Sequence, residues 1–195
     1  MMTVKAGPRP KTVVACQVLV PELQAVLGSR ADLEIISLPA ALHTDVDRLN
    51  RELGDQLAIC RRNQENELCV VYGRACSPGI EGVVESHRAS CLEADNCLDA
   101  LLGPLKTEAE AEGAFVLTPG WIRAWPSIME AMGWDEVDTR LNLGRYRKAV
   151  LFDTGVEPRL TDEEILWFFE VSGLYVETRP VDLHFLQQQL ERWFP

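Results

Sequence analysis

The sequence predicts an α/β fold: a single domain with a mainly parallel, doubly wound (Rossmann-like) sheet flanked by helices. Three observations predict it. Six short stretches rich in β-branched and apolar residues, at 12–16, 33–38, 68–72, 114–117, 149–152 and 174–177, have the length and composition of strands. Most are separated by segments whose apolar residues recur at helical spacing, and strands alternating with helices build parallel sheets covered on both faces. The chain has 195 residues, enough for one substantial core and cramped for two.

Residues 1–11 are mildly basic and contain proline; they read as a flexible N-terminal segment ahead of an α/β domain at 12–195. The first strand ends at Cys16 and a short helix follows at 21–27. After the second strand, Pro39-Ala40-Ala41-Leu42 leads to His43. The clearest helix begins near Thr44, which has capping-box spacing to Asp47, with Asp in place of the usual Glu or Gln. Val46, Leu49, Leu53, Leu57 and Cys60 mark its apolar face.

The third strand runs into Gly73-Arg74-Ala75-Cys76-Ser77-Pro78-Gly79, a turn by composition, and a further helix is expected at 98–105. Beyond the fourth strand, Thr118-Pro119 reads as N-cap and first helical residue before Trp121, Ile122 and Trp125. Pro126 should kink or end that helix. Trp121 and Trp125 are four apart on one face, and core packing accounts for both. Thr161 followed by Asp162, Glu163 and Glu164 is a capped helix start with acids in the first turn. A stripe of Leu186, Leu190 and Trp193 closes the chain as a helix at 185–193.

Composition limits the function. A formal net charge of −11 opposes approach to DNA or RNA unless basic residues cluster, and Arg61-Arg62 and 140–148 are the only notable basic groups. Nucleic-acid binding is therefore not expected. Neither is membrane insertion, since no apolar run reaches spanning length. Residues 1–11 hold no apolar signal core, so the expected location is cytoplasmic. No GxGxxG or Walker A sequence supports a nucleotide cofactor. Asp153-Thr154-Gly155 has the letters of an aspartic-protease motif, but in a single copy it reads as a strand-ending turn.

The six cysteines carry the chemical interest. They contain no CxxC pair and do not form a dense disulfide framework, which leaves core packing, metal ligation or thiol chemistry. In open α/β sheets ligands bind where the C-terminal ends of parallel strands gather. Cys16 ends a strand, Cys76 lies in the turn after another, and Cys97 opens a helix whose dipole and N–H groups would favour a thiolate. His43 shares that rim. Three thiols and one imidazole match the donor set of zinc, or of an iron–sulfur cluster with one position open. Cys60 and Cys69 fit core packing, and Cys91 is a spare thiol near the site.

Ala15-Cys16, Leu42-His43, Val70-Val71-Tyr72-Gly73 leading to Cys76-Ser77-Pro78, Asn96-Cys97-Leu98, Leu101-Leu102-Gly103, the segment 113–117 before Trp121, and Val181-Asp182-Leu183 with Leu186 recur in an order that resembles the DUF1638 family. The likeness covers nearly the whole chain. It implies that an early cysteine, a cysteine after a Tyr-Gly turn and a third before Leu-Leu-Gly carry over onto Cys16, Cys76 and Cys97. The chain departs from a common pattern by one extra residue between Gly73 and Cys76, and by Ser77 where His often follows the cysteine.

Members of that family are associated with corrinoid-dependent methyl-transfer systems. The resemblance therefore implies a corrinoid protein or methyltransferase as partner and a small-molecule thiol or methylated compound as substrate. The function expected from residues and resemblance together is a metal-binding protein, with zinc or an iron–sulfur cluster on Cys16, Cys76, Cys97 and His43, acting in one-carbon methyl transfer. The alternatives are a non-enzymatic metal chaperone or accessory protein of such a system, and a metal-free thiol redox protein.

Overall fold

The structure is a computed structural model describing residues 11–62 and 66–194. Residues 1–10 of the expected N-terminal segment lie outside the described residues. The α/β class holds: every strand pairing in the two sheets is parallel, and helices flank them. The strands divide into two sheets. One has the order β2-β1-β3-β4, from β1 (Lys11–Cys16), β2 (Leu33–Leu38), β3 (Glu67–Val71) and the short β4 (Ser90–Cys91). The other has the order β5-β6-β7, from β5 (Ala114–Leu117), β6 (Lys148–Asp153) and β7 (Val176–Pro180).

The central strands are buried on both faces. Val13, Val14, Ala15 and Cys16 of β1 and Val70 and Val71 of β3 are wholly inaccessible, which explains why these segments read as apolar runs without alternation. Helices α1 (Val20–Leu27), α2 (Val46–Arg61), α3 (Ile80–Ser86) and α4 (Cys97–Leu102) accompany the first sheet, and α5 (Pro104–Ala111) packs on β5 of the second. Helices α6 (Pro119–Met132), α7 (Glu136–Leu143), α8 (Asp162–Ser172) and α9 (His184–Leu190) follow in the second half.

Leu49, Leu53 and Leu57 bury the expected face of α2. Its N-cap, however, is Asp45, whose carboxylate accepts the Arg48 N–H at 2.9 Å. Thr44 is spent on a preceding turn, where its hydroxyl donates to the Ala41 carbonyl. On α8 the expected cap is present in full: Thr161 and Glu164 form a reciprocal capping box. Pro126 does not end α6, which continues to Met132. The burial of Ile122, Trp125 and Ile128 along its inner face outweighs the one main-chain hydrogen bond that proline removes.

The two sheets meet through α6. Its first turn packs on the segments that follow β1 and β2, and Gly120 is the point of closest approach, where a Cβ would overlap the Val18 carbonyl. The C-terminal edge of the first sheet is thereby roofed by the helix that leaves β5.

Candidate functional site

Three loops of the first sheet converge under α6. β1 ends in Cys16. β2 leads to a 3-10 turn, Ala40–Thr44, that carries His43. β3 leads through Tyr72 and Gly73 to Cys76. The Cys76 turn is laced to the loop before α4: Arg74 N–H donates to the Ala94 carbonyl (2.9 Å) and Ala75 N–H to the Asp95 carbonyl (2.8 Å). Gly73 allows this approach, since a Cβ there would overlap the Asn96 backbone. Asn96 caps α4 by accepting the Asp99 N–H at 3.0 Å, and Ser77 anchors the turn to α2 by donating to Asn50 at 2.8 Å. The result brings Cys76 beside Cys97, whose N–H points at the Cys76 sulfur.

The three sequence-selected cysteines are neighbours in space. Each of Cys16 and Cys76 raises the pKa of Cys97, and Cys76 raises that of Cys16. Burial is the larger cause throughout: it pushes the Cys16 thiol up to about 12 and the Cys97 thiol well above its ordinary range. The thiolate expected for Cys97 at the start of α4 is therefore not favoured. A six-residue helix supplies little dipole, and complete desolvation of the sulfur overcomes it.

The metal expectation is corrected here. Among the described residues, no three His, Cys, Asp or Glu side chains are arranged to hold a metal ion, so Cys16, Cys76, Cys97 and His43 do not make a zinc or iron–sulfur centre. Methyl transfer at such a centre falls with it, and the metal chaperone or accessory alternative is not favoured. The metal-free redox alternative is not favoured either, because thiol exchange needs a thiolate and burial keeps these thiols protonated.

What the arrangement does provide is a cavity of about 410 Å³. Cys76, Cys97 and His43 line it together with Phe115, Trp121 and Tyr146 from the second half. The His43 Nδ1 bonds the Ala40 carbonyl at 2.9 Å, which makes Nδ1 the protonated nitrogen and leaves Nε2 with a lone pair. Burial lowers the pKa of His43, which favours the neutral ring. Its Nε2 is buried and has no hydrogen-bond partner among the described residues, and the same holds for Trp121 Nε1 and the Tyr72 hydroxyl.

These atoms surround the thiols. The His43 ring stacks on Tyr72 (centroids 5.8 Å apart) and tilts against Trp121 (5.9 Å). Tyr72 lies beside Cys16, and Trp121 beside Cys97 closely enough to offset part of the rise in its pKa. Neither makes a hydrogen bond of normal geometry. At the rim, Lys106 is paired with Asp99 (3.0 Å) and Glu110 (3.1 Å), so its charge is compensated within the wall.

Other expectations resolve simply. Asp153-Thr154-Gly155 is a turn: Gly155 N–H donates to the Asp153 carboxylate (2.9 Å) and the Thr154 hydroxyl to Glu22 (3.0 Å). Cys69 is buried in β3, and Cys91 donates to the Tyr72 carbonyl at 3.5 Å. His87 and His184 bond local groups away from the cavity. Trp125 is core, in edge-on contact with Phe115 and Phe168. Its neighbour Trp121 is not core alone, and sequence reasoning missed its place in the cavity. The signal lay in Gly120, beside it, which permits α6 to dock closely enough to present Trp121 to the thiols.

Among the described residues no helix is long and apolar enough to cross a membrane. No curated protein matches the chain. A solved structure that aligns with it is a RedJ thioesterase from the prodiginine biosynthetic pathway in Streptomyces coelicolor, with 13% identity, a TM-score of 0.33 and coverage of 98% of this chain and 94% of that one. The family model described as "Protein of unknown function (DUF1638)" matches residues 37–190, a span that takes in His43, Cys76 and Cys97 but begins after Cys16. The chain therefore belongs to the DUF1638 family.

Proposed function

We propose that this protein binds a small, uncharged molecule whose head group both donates and accepts hydrogen bonds, a carboxamide being the simplest case, with His43 accepting a hydrogen bond from it and Trp121 donating one. One observation carries the reading: two rings that line a single cavity each hold a buried nitrogen with no hydrogen-bond partner of normal geometry among the described residues. His43 Nε2 is an acceptor and Trp121 Nε1–H a donor. Leaving such atoms unsatisfied costs about 1–3 kcal/mol each, a cost that a ligand with a complementary head would offset.

The cavity volume lies within the usual range for small-molecule sites, and its aromatic and aliphatic walls suit an apolar body. An uncharged ligand follows from the electrostatics. The cation at the rim is already paired with two carboxylates, the thiols are neutral, and an unpaired ionic head would bear its full desolvation cost.

Ligand-detected NMR with benzamide and benzoate tests this. Benzamide matches both atoms; benzoate lacks the donor and carries a charge. We expect saturation transfer to benzamide and little to benzoate, with the benzamide signal lost in His43→Ala and weakened in Trp121→Phe. Benzoate binding as well as benzamide, or no binding by benzamide and its smaller carboxamide analogues, would overturn the reading.

A further inference from the structure

We infer that the free edge of β7 is a pairing surface for a second copy of this chain, joining two three-stranded sheets into one across a two-fold axis. Among the described residues β7 ends its sheet, with β6 on one side and no strand on the other. Ala149 N–H donates to the Tyr175 carbonyl (2.8 Å) and Val181 N–H to the Asp153 carbonyl (2.9 Å). By the two-residue period of a strand, the main-chain groups of residues 175, 177, 179 and 181 turn towards β6. Those of Val176, Thr178 and Pro180 turn outwards.

This edge is self-complementary. In an antiparallel pair centred on Thr178, the two Thr178 residues exchange N–H and carbonyl. Each Val176 N–H then meets the other copy's Pro180 carbonyl. Pro180 has no N–H to give, so it forfeits only the reciprocal bond at the end of the ladder, and a proline is tolerated there. The same register sets Glu177 opposite the second copy's Arg179, and Arg179 opposite its Glu177, the pairing of unlike charges that stabilises adjacent strands. Both side chains already belong to a charged face, with Glu177 on Lys148 (2.6 Å) and Arg179 on Glu112 (2.7 Å).

The helix beside this edge supplies the apolar contact. Ile165, Leu166 and Phe169 of α8 form a stripe that borders Tyr175 and Val176 in one groove. Leu166 is 53%, Phe169 45% and Tyr175 69% exposed, a concentration of large apolar groups that asks for a cover. A two-fold axis normal to the joined sheet keeps each α8 on the same face and brings the two stripes together over the seam. Edge complementarity and apolar stripe thus require the same partner in the same orientation.

Sedimentation velocity of the full chain across a micromolar concentration series tests the inference. The expected result is a dimer. Thr178→Pro removes an outward N–H while leaving the inward bonds to β6, and Leu166→Asp with Phe169→Asp charges the stripe without touching the edge. Each variant is expected to raise the dimer dissociation constant about tenfold or more, with the circular dichroism spectrum unchanged. Should Thr178→Pro fail to fold, the double aspartate variant still decides. A wild-type chain that stays monomeric throughout the series, or a dimer indifferent to the aspartates, overturns the inference.

Discussion

The two sheets of this protein have the same parallel construction and divide their chemistry sharply. All six cysteines belong to the segments of the first, while the strands and helices from 114 onwards have none. The first sheet gathers thiols and an imidazole at its C-terminal edge; the second half contributes aromatic side chains to the same cavity, through Phe115, Trp121 and Tyr146. The site therefore belongs to neither sheet alone. Reactive side chains are concentrated by one, and the enclosure that keeps them neutral is supplied by the other.

The sharpest way to break that division is at its seam. Gly120→Ala places a methyl group into the Val18 carbonyl, and since both partners are backbone the strain is relieved only by moving α6. A loss of about 3 kcal/mol or more in chemical denaturation is expected, with increased exposure of Trp121 to a neutral fluorescence quencher.

A second break is alkaline pH. Folding raises the pKa of the buried thiols, so their contribution is complete below the unfolded value near 9 and is lost as pH rises towards the folded value, about 12 for Cys16. Each such thiol costs about 1.4 kcal/mol per pH unit in that window. Stability measured by denaturation should fall between pH 9 and 11, and less steeply in Cys16→Ala.

Glu22 offers a smaller effect of a different kind. It is buried on α1 against Thr154, with one carboxylate oxygen unpartnered, and burial raises its pKa. The unfolded state ionises first as pH rises above 4.5, so this group subtracts stability at neutral pH. Glu22→Gln keeps the bond from Thr154 and is expected to stabilise the protein by about 1 kcal/mol at pH 7, with no gain at pH 4. Smallest of all are Val137→Ser and Leu141→Ser on the exposed face of α7, expected within about 0.5 kcal/mol of wild type.

Much of this architecture could be read from the chain. Apolar runs such as 12–16 and 68–72 announced buried parallel strands because both faces are covered, and Thr161-Asp162-Glu163-Glu164 announced α8 because capping is local chemistry. Gathering Cys16, Cys76 and Cys97 at one edge followed from strand direction. Less legible were features set by tertiary contact. Thr44 and Asp45 compete for one cap, and spacing does not decide between them. Pro126 stays inside α6 because of what the helix buries. Metal ligation was misread because donor type is visible in sequence and mutual geometry is not. Burial likewise turned Cys97 from an expected thiolate into a protonated thiol.

The proposed binding mode rests on a neutral His43, protonated on Nδ1, whose unpartnered Nε2 meets a ligand. Long-range proton–nitrogen NMR of the histidine rings at pH 7, recorded with and without benzamide, tests it directly. The expected result is an Nδ1–H tautomer whose Nε2 resonance moves when benzamide is added. An imidazolium, an Nε2–H tautomer, or an Nε2 resonance indifferent to benzamide and to smaller carboxamides would contradict it.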